Sequence, residues 1–372
     1  MSDRAEIGLQ YLVKFRSGQD YAHVADVAGE VPVIGSGGPF ARATAHLYEG
    51  ESVLFGRKGT VDRPLHIDGK FWTVDTMFYT ELTDAVDGRW LYYWATRVPF
   101  GLYSTDTALP SMTSSVLGRL KVPVVDIDKQ RAIAKYLDRE TGEIDAMLSK
   151  LDELAENLKV RRESIGSPLH TMGFEHVRLQ WLMHEVDERA GNSNADLPLL
   201  SVSIHHGVQL REESSSRQQA STDLSKYKVV RAGEIVLNRM RAFQGGLGQA
   251  RIDGLVSPDY AVLHPEPRLS PNWAEYVMRS PQFVDAMSQR LRGIGAADQS
   301  NVRTPRINVR DLFVLTIPLP SSDEQCSVVK KLDEATARVD AMLAKVADLK
   351  ALLLERRAAL ITDVVTGRKE VA

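Results

Sequence analysis

A single cysteine, Cys326, in 372 residues leaves nothing to pair with inside the chain. That excludes a disulfide framework and fits a reducing cytoplasm. Long apolar runs are also missing: no charge-free stretch approaches the roughly 20 residues needed to span a bilayer. The opening MSDRAEIGLQYLVKF has no apolar signal core, so a cytoplasmic protein without a membrane segment is expected. Charge of one sign is scarce overall, with 46 basic against 49 acidic side chains. A polyanion-binding role therefore has to be sought segment by segment.

Catalytic patterns are missing as well. There is no GxxxxGK[ST] loop, so no ATP-driven motor is suggested. Gly35, Gly37 and Gly38 superficially resemble a dinucleotide fingerprint, but Pro39 stands where the phosphate-binding helix should begin, and a turn is the better reading. His205 and His206 are adjacent, which does not place both on one face, and no cysteine or carboxylate cluster joins them at metal spacing. Asp259 followed by Glu266-Pro-Arg268 faintly resembles a metal-dependent nuclease motif, without its lysine and with short spacing. SPDY reads better as a turn entering a strand. The chain itself is expected to hold no cofactor and no metal.

What is present is repetition. Residues 128–162 fall without a gap on residues 323–357, an offset of 195, with fifteen of thirty-five positions identical. Leu137, Ile144, Leu151 and Leu158 recur every seven residues in the first copy, and Leu332, Val339, Val346 and Leu353 in the second. Ile133, Met147 and Leu154, then Val328, Met342 and Leu349, form a companion row. Such narrow stripes predict two long helices that need a partner helix, most economically each other. Glu140, Arg161 and Arg356 break the pattern and mark where it meets solvent or another chain.

The rest of the chain repeats too. LQYLVK at Leu9 falls on LQWLMH at Leu179, Gly50, Glu51, Trp90 and Tyr93 on Gly233, Glu234, Trp273 and Tyr276, and Pro110 and Pro123 on Pro305 and Pro318. The offset grows from 170 through 183 to 195, which places one insertion near residues 205–223 and another between Tyr276 and Pro305. The expected organisation is α+β and internally duplicated: mixed α/β domains at 1–122 and 167–319, each followed by a long helix, at 123–166 and 320–372. The two helices are expected to pack on each other as a coiled coil.

Charge is uneven on this frame. Residues 1–122 hold 12 basic and 14 acidic side chains, whereas residues 226–310 hold 13 and 7. The second insertion carries Arg290, Arg292 and Arg303 and runs on to Arg306 and Arg310, interspersed with Gly, Ser, Asn and Pro. A basic loop inserted between framework positions is a candidate phosphate-binding surface. Arg57 and Lys58 follow a predicted strand in the first domain, and Arg239 and Arg241 in the second. Arginine pairs bidentately with guanine or holds phosphate.

The passages VPVVDIDKQRAIAKYLDRETGEIDAML and IPLPSSDEQCSVVKKLDEATARVDAML resemble the conserved regions of the specificity subunit of type I restriction–modification enzymes. VLFGRKGTVDRP with FWTVDTMFY, and GEIVLNRMRAFQGGLG with GLVSPDY, are similar to that family's target-recognition domains. The likeness covers essentially the whole chain, in the order domain, helix, domain, helix. One departure is Lys129, where the family usually has an acid before the glutamine, as in Glu324-Gln325. The resemblance implies a non-catalytic subunit that reads a split, asymmetric site on double-stranded DNA, with its two long helices running antiparallel as the spacer. Two methyltransferase subunits carrying S-adenosylmethionine would dock on it and flip out one adenine per half-site, and restriction subunits using ATP and Mg would complete the enzyme. A coiled-coil scaffold that binds only proteins is the alternative, with a self-sufficient nuclease around Asp259 and Glu266 as a third reading.

Overall fold

The computed structural model describes residues 5–103, 110–191, 194, 196–204, 206–211, 224–290 and 306–371. The chain forms two compact units, one of residues 1–152 with 347–372 and the other of residues 153–346.

The first unit contains β1 (Glu6–Gly8), β2 (Val13–Ser17), β3 (Val31–Gly35), β4 (Gly38–Ala43), β5 (Tyr48–Glu49), β6 (Ser52–Gly56), β7 (Leu65–Ile67), β8 (Lys70–Thr73) and β9 (Met77–Leu82). After these come α1 (Gly88–Ala95), α2 (Ser114–Gly118), β10 (Lys121–Pro123) and the start of α3 (Ile127–Glu163). One sheet has the order β2-β9-β6-β7, a second the order β4-β3-β8-β5, and β1 pairs with β10. LQYLVK is split between a turn and the start of β2. Leu9–Tyr11 is a 3-10 turn, in which the Leu12 N–H donates to Leu9 O at 2.9 Å and the Leu9 N–H to Leu120 O at 3.0 Å. The turn wins because Leu9 and Leu12, three apart, both reach the core that way. The glycine cluster is the hairpin between β3 and β4, as its composition suggested.

The second unit contains β11 (His176–Arg178), β12 (Met183–Val186), β13 (Leu200–Ser203), β14 (Gly207–Leu210), β15 (Lys228–Val230), β16 (Ile235–Leu237), β17 (Leu247–Gln249), β18 (Gly254–Val256) and β19 (Ala261–Pro265). It continues with α4 (Pro271–Met278), α5 (Pro281–Ser288), α6 (Val309–Phe313), β20 (Thr316–Pro318) and the start of α7 (Ser322–Val365). Its main sheet has the order β12-β19-β16-β17, and β11 pairs with β20.

Corresponding side chains make corresponding bonds inside each unit. Buried Gln130 accepts from the Asp87 N–H at 2.9 Å and donates to Ala85 O and Val125 O; buried Gln325 accepts from the Ser270 N–H at 2.8 Å and donates to Arg268 O and Pro320 O. Tyr93 donates to Asp138 at 2.7 Å beside Thr141, and Tyr276 to Asp333 at 2.7 Å beside Thr336. Burial pushes both phenols up to about 12. These bonds tie each globular part to the first turns of its helix. Where α7 opens with a capping box, the Glu324 carboxylate accepting from Ser321, α3 has Asp126 accepting from the Asp128 N–H at 2.9 Å. Asp126 thus caps the helix in which Lys129 departs from the pattern.

In the first unit, Arg357 of α7 pairs with Asp145 of α3 at 2.9 Å and Lys350 with Asp152, so these helix segments run antiparallel. In the second, Arg162 pairs with Asp340 at 2.6 Å. Leu137, Ile144, Leu158, Val339, Val346 and Leu353 are buried as expected, with Leu151 and Leu332 half-buried. In the companion row Ile133 is buried and Val328 half-buried, but Met147, Leu154, Met342 and Leu349 are 44–51% exposed. One facing helix covers one row, and the second is left in water.

Candidate nucleic-acid interface

In the first unit β6 ends at Gly56, and the chain turns through Arg57, Lys58 and Gly59, the last at φ +80°. Two neighbours hold this turn. The Arg57 and Lys58 N–H groups donate to Thr76 O at 2.8 and 3.2 Å, ahead of β9. On the other side Arg57 O accepts from the Met112 N–H and Pro110 O from the Gly59 N–H, both at 2.9 Å. The Arg57 guanidinium lies 5.7 Å from the Phe78 ring centroid and donates to Asp75 O at 3.4 Å. Among the described residues no carboxylate pairs with Arg57 or Lys58; Arg57 is half-buried and Lys58 exposed.

The second unit builds a similar turn after β16. Buried Asn238 organises it: its Oδ1 accepts from the Met240 N–H at 3.2 Å, its Nδ2 donates to the Tyr260 hydroxyl at 3.3 Å, and its backbone O accepts from the Arg241 N–H at 2.9 Å. Arg239 reaches the segment before α6, its Nε donating to Ile307 O at 3.2 Å while its own O accepts from the Ile307 N–H at 3.1 Å. Arg241 is exposed. Burial raises the Tyr260 phenol, against the pull of Arg241 and Arg211. Arg306, beside Ile307, lies 4.0 Å from Asp259, both side chains largely exposed. An exposed pair at that distance holds neither group firmly.

The structure therefore brings Arg239, Arg241 and Arg306 into one neighbourhood, though they come from separate stretches of sequence. Arg290 lies just past α5 and Arg310 on the first turn of α6, both exposed and outside the bonds that fix the turn. Arg292 and Arg303 lie outside the described residues, as does His205. Asn238, Tyr260 and Arg211 were missed by the sequence reading; Asn238 could have been found, since it directly precedes Arg239 at the end of a strand.

The nuclease reading fails on geometry. Asp259 and Glu266 sit beyond opposite ends of β19, whose five residues extend about 13 Å, and among the described residues the Glu266 carboxylate bonds only to His184, at 3.1 Å. Among the described residues no group of three or more His, Cys, Asp or Glu could hold a metal. No helix among them is long and apolar enough to cross a membrane.

No family model and no curated protein matches the sequence. Solved structures match its fold, which is that of proteins from type I R-M systems. A chain from a structure of the complex assembly and conformational transition of the type I R-M system superposes with a TM-score of 0.70 at 15% identity, over 98% of each chain. The HsdS subunit from Thermoanaerobacter tengcongensis superposes with a TM-score of 0.52 at 16% identity, over 97% of this chain and 96% of that one.

Proposed function

We propose that this chain is the DNA specificity subunit of a type I restriction–modification enzyme, one unit written twice, with target-recognition domains at 1–122 and 167–319 and spacer helices at 123–166 and 320–372. The observation that carries the reading is a basic turn after the corresponding strand of each unit, its arginine carbonyl accepting from the Met112 N–H in one and the Ile307 N–H in the other, on a fold shared with type I R-M chains. Arg57 and Lys58 would meet one half of a split site, and Arg239, Arg241 and Arg306 the other, with Arg290, Arg292, Arg303 and Arg310 adding phosphate contacts around the second. The helices form an antiparallel coiled coil. Their exposed row, Met147 and Leu349 in the first unit and Leu154 and Met342 in the second, is apolar surface suited to helices of two methyltransferase subunits. S-adenosylmethionine belongs to those subunits, and ATP and Mg to the restriction subunits.

The test is reconstitution. Purified chain mixed with its methyltransferase subunits should methylate adenine in a two-part sequence, and neither component alone should do so. Methylation by the purified chain alone overturns the assignment.

A further inference from the structure

The 3-10 turn between β1 and β2 leaves Tyr11 66% exposed, and the turn between β11 and β12 leaves Trp181 63% exposed. The two turns are built alike. Each begins from an extended residue, Gly8 at φ −67°, ψ 137° and Arg178 at φ −66°, ψ 139°. Each buries its leucines, Leu9 and Leu12 in one and Leu179 and Leu182 in the other, and is pinned by a backbone N–H donating to Leu120 O or Leu315 O. The geometry that buries the leucines drives the third residue outward, and in both units that residue is a large aromatic.

The position on the sheet decides what the ring faces. Val13 pairs with Leu82 at one end of β9, whereas Met77 at the other end adjoins the Arg57 turn; Met183 pairs with Pro265, whereas Tyr260 just beyond the far end of β19 adjoins the Arg239 turn. Five residue steps, roughly 16 Å at about 3.3 Å each, separate the aromatic from the basic turn in either unit. The aromatic end is the end that meets the helix: Leu12 O accepts from the Thr83 N–H and Leu182 O from the Glu266 N–H, a few residues from the Gln130 and Gln325 bonds.

We infer that Tyr11 and Trp181 are twin anchors for a protein subunit that binds the chain twice, once per unit, through an apolar pocket that takes one ring. Resting on the function proposed above, that partner is the methyltransferase subunit. An aromatic in a partner's pocket concentrates binding energy, and its occurrence once in each unit matches a partner present in two copies.

The experiment uses the full chain and its methyltransferase subunits, with stoichiometry read by analytical ultracentrifugation. Tyr11→Ala and Trp181→Ala should each weaken one of the two docking events at least tenfold, giving a one-to-one complex at limiting concentration. The double variant should lose both, and Tyr11→Phe with Trp181→Phe should keep them, all with unchanged unfolding. Full two-subunit assembly by the double alanine variant overturns the inference, as does weakened DNA binding with intact assembly, which would make the rings DNA-stacking groups. If the unaltered chain takes up no methyltransferase subunit at all, the proposed function falls first and this contact with it.

Discussion

Gln325 is fully buried and uses its amide in three directions at once, so its replacement by leucine leaves three backbone groups without a partner. Each orphaned buried group costs about 1–3 kcal/mol. Water reaches part of the Arg268 and Ser270 side of the site but not Pro320, which sets the expected loss at about 3–5 kcal/mol, a large share of a domain's stability. Gln130→Leu should cost slightly less, because its surroundings are more open. The isosteric Gln325→Glu sharpens the test. One carboxylate oxygen still accepts from the Ser270 N–H, but the other faces two carbonyl oxygens and must carry a proton. Its folded pKa then lies above the ordinary value of about 4.3; the stability is present below that value and lost as pH rises through the raised one. Urea unfolding, with hydrogen exchange to resolve each unit separately, measures all three variants. Losses under about 0.5 kcal/mol for both leucine variants, or a Glu variant equally stable at pH 5 and pH 8, would refute the argument.

Trp273 donates its Nε1–H to Pro318 O at 2.8 Å, whereas the Trp90 Nε1–H is buried with no acceptor among the described residues. Trp273→Phe should therefore cost about 1–3 kcal/mol more than Trp90→Phe, and equal losses in thermal unfolding would contradict the bonding. The Tyr93 and Tyr276 phenols, pushed up to about 12 by burial, favour folding below their unfolded value near 10. That contribution is lost as pH rises from 10 to 12, so alkaline unfolding should move when both become Phe; an unmoved transition refutes it. Arg239→Ala and Arg241→Ala, if they contact phosphate, should each lower the salt slope of DNA binding by about one; a base contact would instead relax one position of the recognised sequence. Unchanged affinity, slope and sequence would return the turn to ordinary solvated surface.

The repeated helices could be read from sequence because a seven-residue stripe and a fixed offset are both periodic signals, and the buried rows through Leu137 and Val339 follow from them. The companion row at Met147 and Met342 could not: periodicity shows that a face is apolar but not how many neighbours cover it. Gln130 and Gln325 are identical in the repeat, yet two of the three bonds each makes join backbone atoms 43 to 57 residues away in sequence, which no local pattern encodes. The Arg57 turn was visible as a basic, glycine-bounded strand end. That Arg239 and Arg306 meet was not, because tertiary hydrogen bonds through Ile307 bring them together. The ion pairs Arg162 with Asp340 and Arg357 with Asp145 also went unread, although all four residues lie in the identical positions of the repeat.

The first unit draws its core from stretches of sequence far apart: Ile361, Val364 and Val365 pack in the same cluster as Leu9, Trp90 and Leu137. During synthesis these early side chains emerge long before their last neighbours exist. The second unit, contiguous from residue 153 to 346, has no such wait. A ribosome making this chain therefore finishes the second unit first and leaves an apolar face of the first open until residues 361–365 emerge, an interval in which a chaperone or an assembling partner has its opportunity to bind.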